Sequence, residues 1–214
     1  MDCAEHVVLE AKEKKAPEQS KSLAEFLKTN KRFAIFLVGV MLLFHTHMLA
    51  SNYLYQIIES VGGNSSHLGV ASSLAAAVEI PGMILFAKIV EKISCQKLIR
   101  IAGMVYAVKF LCFYMADSVT MVYVAQMFQI GSYAIFIPAS VYYVSHLFGK
   151  ADTVKGQSLV TTAITLGTVI ASLDGGWIMD HFGVREMLLV AMVIAWIGIA
   201  LIFAGLEKKF LDEP

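Results

Sequence analysis

Residues 66–91 read SHLGVASSLAAAVEIPGMILFAKIVE. This is about one bilayer of small and apolar residues, interrupted near its middle by Glu79 and Pro81. A carboxylate about 20 Å from either end of a spanning helix is expensive to hold in lipid, whether the cost is ~3 or ~10 kcal/mol. Glu79 is therefore expected to face protein or water. Gly69, Ser73 and Ala77 recur every four residues and offer a smooth face for close helix contact. Pro81 has no backbone N–H to donate and weakens the helix just beyond the acid. Two readings of Glu79 stand open: it points into a polar cavity enclosed by other helices, or it is a structural acid hydrogen-bonded between them.

The chain around this stretch has 214 residues, 57 % hydrophobic and 16 % charged. Soluble domains run at about 45–50 % and 25 %, so the expected class is an all-α integral membrane protein with the lipid bilayer as its first partner. Formal net charge is zero, which gives no reason to expect a nucleic-acid partner. Cys3, Cys95 and Cys112 lack metal-ligand spacing and read as incidental thiols. The first thirty residues are polar and the first apolar run is too long for a signal-peptide h-region.

Residues 1–30 read as a cytosolic tail or linker, 31–209 as a transmembrane bundle and 210–214 as a short cytosolic tail. Within the first, SLAEFLKTNKRF suggests a turn or two of amphipathic helix, with Ser22 as N-cap and Glu25 three residues on. Six apolar segments follow, at 33–58, 67–90, 98–116, 119–147, 156–179 and 185–205. Lys28, Lys31, Arg32, Lys88, Lys92, Lys97, Arg100, Lys150, Lys155, Lys208 and Lys209 fall on one side of such a bundle, and Arg185 alone on the other. That asymmetry puts both termini in the cytoplasm of a cell-membrane protein.

IVEKISCQKLIRIAGMV from Ile89 also matches IMDHFGVREMLLVAMVI from Ile178 at a constant offset of 89. Glu91 then stands opposite Asp180, and Ser94 opposite Gly183. Each copy joins the second and third helix of a three-helix unit, so the units would face opposite sides of the membrane. An inverted 3+3 repeat is a common build of secondary transporters; a chance likeness of two hydrophobic segments is the other reading.

Several polar residues interrupt the spans. Lys109 lies about 12 residues from the inner end of the third, and it either pairs with Glu79 or snorkels outward. His45 and His47 are two positions apart, about 200° around a helix, so they are poor joint metal ligands. One of them can line a cavity as a proton relay while the other packs against a neighbour. Asn52, Tyr53 and Gln56 continue a polar stripe toward the outside. Gln126 and Gln129 share a face and would hydrogen-bond a neutral polyhydroxylated solute or each other, while Gly131 and Pro138 let that helix bend. Asp174 lies about four residues from the outer end of the fifth span, with structural and transport roles both open. No Gly-x-Ser-x-Gly, His-Glu-x-x-His or Walker-type loop occurs, so neither enzymatic activity, nor a metal, nor a cofactor is expected.

From about residue 23 to 210 the chain resembles the major facilitator superfamily, more narrowly the carboxyl-terminal half of lactose-permease-like sugar/proton symporters. GGWIMDHFGVRE is similar to the family's G-x-x-x-D-x-x-G-x-R signature, and KIVEKISCQK to a degraded copy of it. The resemblance implies that Glu79 holds the place of a sugar-binding glutamate and Lys109 that of a proton-coupling arginine. It departs where Gln126 and Gln129 replace a histidine and a proton-carrying glutamate, and where His45 and Met48 replace two charge-paired aspartates. Glutamine carries no proton at accessible pH, so proton coupling would fall to Glu79 or His45, and Glu79, Lys109, Gln126, Gln129 and Asn52 would bind the solute. Family members use twelve helices in two halves. The expectation is thus half of a transporter for a small polar, sugar-like solute, completed by an amino-terminal six-helix half or a second copy. The alternative is a truncated or split-gene fragment acting as a structural module.

Overall fold

The computed structural model describes residues 22–207; the rest of the expected tails lies outside the described residues. Every element among the described residues is helical. The chain divides into Met1–Lys31 and Arg32–Pro214. In the first, α1 (Leu23–Thr29) has Ser22 at its N-cap, but the serine side chain makes no capping hydrogen bond, so the expected Ser22/Glu25 capping pair does not form. The turn is closed by the Phe26 N–H donating to the Ser22 carbonyl at 2.9 Å.

The second part runs α2 (Lys31–Asn52), α3 (Leu54–Ser60), α4 (Ser65–Ile89), α5 (Cys95–Tyr114), α6 (Val119–Met127), a 3-10 turn (Phe128–Ile130), α7 (Tyr133–Leu147), α8 (Lys150–Phe182) and α9 (Val184–Gly205). Among the described residues, five paths are long and apolar enough to cross a membrane: Lys31–Asn52, Ser65–Ile89, Val119–Leu147, Asp152–Phe182 and Val184–Gly205. The expected third span, α5, has 20 residues but carries Lys97, Arg100 and Lys109, which lowers its apolar character.

Three boundaries differ from the sequence reading. The first apolar segment splits at Tyr53, and the fourth breaks at its centre. The fifth extends three residues past 179, because polar residues at helix ends are no obstacle to helix: Asp152 sits in the first turn of α8, where its charge suits the helix dipole, and His181 sits in the last. Gly183, at φ +97°, turns the chain into α9 in a conformation that other residues rarely adopt.

The most enclosed helix is α2, with 67 % of its apolar window buried, against 17 % for α4 and 28 % for α8. It meets α9 backbone to backbone: a Cβ on Gly39 would stand 2.7 Å from the Gly198 carbonyl oxygen. It meets α7 through Phe36 against Tyr143 and Phe44 against Phe136, ring centroids 5.3 and 5.9 Å apart. Such close small-residue and aromatic packing is what holds helices together where lipid offers no hydrophobic contrast. The Gly69/Ser73/Ala77 stripe expected to pack does not do so. A Cβ on Gly69 would meet nothing within 4 Å, and Ser73 and Ala77 are exposed. α4 buries Ala71, Gly82 and Phe86 instead.

Candidate functional site: a cavity between α2, α4 and the broken helix

The start of α4 is fixed by a reciprocal cap. The Asn64 side-chain oxygen accepts from the Ser66 N–H at 3.0 Å, and His67 Nδ1 accepts from the Asn64 N–H at 3.0 Å. Fourteen residues further on, Ser65–Ile89 carries Glu79 to just past the middle of the helix. Gly82, nearly one turn beyond, decides what Glu79 meets. A Cβ there would stand 2.6 Å from the Ala134 Cβ and 2.7 Å from the Ile130 carbonyl oxygen, so only glycine lets α4 lie against the break in the facing helix. That break is the 3-10 turn and Ser132, whose φ −96°, ψ −92° is not helical; the Ser132 hydroxyl donates at 2.8 Å to the Phe128 carbonyl, which also accepts from the Gly131 and Ser132 N–H groups. Pro138, the other expected bend, lies inside α7 without interrupting it.

The break presents Gln129 between two charges. Lys109 Nζ donates to Gln129 Oε1 at 2.5 Å, and Gln129 Nε2 donates to Glu79 Oε1 at 2.8 Å. Lys109 is 2 % and Gln129 5 % exposed, whereas Glu79 is half-buried. The direct Lys109–Glu79 contact considered from sequence is thus replaced by an ion–amide–ion chain, because a glutamine can accept at one end and donate at the other. The ammonium also lies 6.0 Å from the Tyr106 ring centroid and 5.8 Å from that of Phe113, within cation–π range.

In front of this chain is a cavity of about 310 Å³, at the small end of ligand-site volumes. Along α4 it is lined by Ser72, Ala75, Ala76 and Glu79, which are i, i+3, i+4 and i+7 on one face. Gln126, Gln129 and Tyr133 line the opposite wall, and His47, Ser51 and Leu54 the third. The His47 ring lies parallel to that of Tyr133, centroids 5.0 Å apart at 18°. The site therefore offers a carboxylate, two amides and the hydroxyls of Ser51, Ser72 and Tyr133 beside a flat aromatic surface. It suits a small solute with hydroxyls at its rim and an apolar face.

Lys109 stands behind Gln129 and is not on the cavity wall. Asn52 is also apart from it: its Nδ2 donates to Ser172 Oγ at 3.2 Å, in an exposed position. His45 points away from the cavity, with Nε2 2.8 Å from Asp174 Oδ2. Asp174 lies two turns before the end of α8, deeper than its sequence placement, because the helix runs on to Phe182. Ser72, Ser51 and Tyr133 were not singled out from sequence. Ser72 was discoverable as the residue two turns before Glu79, and Tyr133 as the residue four after Gln129. Among the described residues, no three of His, Cys, Asp and Glu come together as a metal ligand set.

Long apolar helices enclosing an acid, a buried cation and a solute-sized cavity define a multi-pass membrane protein of the transporter class. A family model described as Major Facilitator Superfamily matches residues 10–213, and the chain belongs to that superfamily. It is 23 % identical over 193 residues to the uncharacterized transporter YwbF of Bacillus subtilis (strain 168), covering 86 % of this chain and 47 % of that protein. It is 22 % identical over 190 residues to the maltose permease of Geobacillus stearothermophilus, covering 87 % and 48 %. To the riboflavin transporter RibZ of Clostridioides difficile (strain 630) it is 24 % identical over 133 residues, covering 62 % and 28 %. The chain spans about half the length of the first two relatives.

Proposed function

We propose that this chain forms one half of a secondary active transporter that moves a small polar, sugar-like solute by alternating access. The observation that carries the reading is the Glu79–Gln129–Lys109 chain, of which Glu79 and Gln129 line the 310 Å³ cavity. An acid and a base held at mid-membrane depth are costly unless function retains them. Glu79 accepts hydrogen bonds from solute hydroxyls, Gln126 and Gln129 contribute amides, Lys109 fixes Gln129 from behind, and the His47/Tyr133 surface takes the apolar face of a ring. A maltose permease among the relatives supports a sugar-like solute. Protons are the coupling ion, with Glu79 and His45 as the groups that carry them.

In this reading α5 is the sixth crossing, and the chain is two inverted three-helix units in the plasma membrane with both termini cytoplasmic. The amino-terminal six-helix half of the transporter, or a second copy of this chain, closes the cavity. The open face of α8 supports such a partner. Ser158, Thr161, Thr162 and Thr165 are exposed on it, and the hydroxyls of Ser158, Thr162 and Thr165 donate to carbonyls of their own helix at 2.8–2.9 Å. The test is uptake into vesicles carrying this chain with a six-helix amino-terminal partner. Glu79→Gln is expected to abolish uptake while the protein still inserts and folds; undiminished uptake removes Glu79 from the mechanism.

A further inference from the structure

His45 and Asp174 meet on the side of α2 turned away from the solute cavity. They line a second cavity of about 130 Å³ whose other walls are Met41, Leu42, Ile170 and Ile194. The two cavities share no lining residue. His45 is 5 % exposed and Asp174 36 %, so the ring is sealed while the carboxyl is only part-covered. One bond joins them, His45 Nε2 to Asp174 Oδ2 at 2.8 Å. The remaining polar atom of each, His45 Nδ1 and Asp174 Oδ1, is buried without a hydrogen-bond partner.

Charge balance says what that arrangement is for. A neutral imidazole beside a carboxylate leaves one uncompensated negative charge among methionine, leucine and isoleucine side chains. A proton added at Nδ1 turns the ring into imidazolium, keeps the Nε2–H···Oδ2 bond and brings the pair to net zero. α8 brings Asp174 to this ring and α9 brings Ile194; along α2 itself, Met41 and Leu42 share the wall. Tyr53, just past the end of α2, lies against Gly175 and Gly176 beside Asp174, while His47 and Tyr133 face the solute cavity with Glu79 and Lys109 is held behind Gln129.

We propose that His45 and Asp174 together form a proton-binding site, separate from the solute cavity and linked to it through α2. The helix presents His47 to the solute side and His45 to the proton side, two positions and about 200° apart. A Cβ on Gly167 of α8 would stand 2.9 Å from the His45 backbone nitrogen, so the two backbones touch here. Sliding of α2 along α8 at this contact would lengthen or restore the His45–Asp174 bond. The linkage to solute rests on the transport reading; the proton site does not.

The experiment is a pH titration of the ¹⁵N-histidine-labelled chain in lipid nanodiscs, read by the ring-nitrogen resonances, with His45→Gln to identify the His45 signals. The expected result is that His45 Nδ1 gains a proton as the pH is lowered across the titration, and that Asp174→Asn abolishes this uptake over the same range. Asp174→Glu, which keeps the charge, retains it and guards against a folding defect in the asparagine variant. A His45 ring that stays in one state throughout, or one that titrates identically in Asp174→Asn, overturns the proposal. No solute flux enters this readout, so a failure of the transport reading is seen separately, in the uptake assay.

Discussion

Replacing Gln129 by leucine tests whether the ion–amide–ion chain acts as a unit. The substitution keeps most of the side-chain volume and removes both hydrogen bonds, from Lys109 at 2.5 Å and to Glu79 at 2.8 Å. Side-chain hydrogen bonds between membrane helices average about 0.6 kcal/mol and reach about 1.7, so two of them set a floor of about 1–3 kcal/mol. Stripping a buried charge of its partner raises the loss to about 3–5 kcal/mol. Glu79 is half-buried on a cavity wall and can be rehydrated, but Lys109, 2 % exposed, cannot. One ion therefore suffers the larger penalty, and the expected loss is about 3 kcal/mol. The assay is reversible denaturant unfolding of the chain in lipid, followed by the fluorescence of Trp177 and Trp196. In a Lys109→Met background the stranded cation is gone, and Gln129→Leu should then cost less than about 1 kcal/mol. Equal losses in the two backgrounds, within about 0.5 kcal/mol, would show that glutamine and lysine are energetically independent and refute the reasoning.

The crossing that places Gln129 is tested by Gly82→Leu, which forces a side chain into Ala134 and the Ile130 carbonyl; it should lose about 1–3 kcal/mol in the same assay. Gly69→Leu, where a Cβ meets nothing within 4 Å, should stay within about 0.5 kcal/mol of the parent. Orientation is tested in intact cells with a membrane-impermeant maleimide: Asp117→Cys should label from outside and Lys92→Cys only after permeabilisation. Labelling of Lys92→Cys in sealed cells would reverse the assigned topology.

What the sequence disclosed and what it withheld divide along a physical line. Periodicity reports which residues share a face, and it found Gln126 with Gln129 and set His45 opposite His47, because those relations are internal to one helix. Depth was legible too: a run long enough to cross, interrupted by one acid, places Glu79 near mid-membrane whatever its neighbours are. Partner choice was not. That Gln129 comes between Lys109 and Glu79 depends on a helix break at residues 128–132 and on α4 approaching it at Gly82, and neither is a property of a single segment. The small-residue stripe failed for the same reason. Gly69, Ser73 and Ala77 are suited to close packing, but α4 has one face to bury within this chain, and Gly82 with Phe86 claims it. Asn52 was grouped with the solute site because the polar stripe was extended along an unbroken helix. The chain turns at Tyr53, and the amide ends on Ser172. Apolar character alone makes Asp174 look shallow, because it ends near residue 179, whereas a helix ends where its backbone turns, here at Gly183. With that depth corrected, the acid lies level with His45, and a residue first placed near the headgroups becomes the partner of a buried histidine.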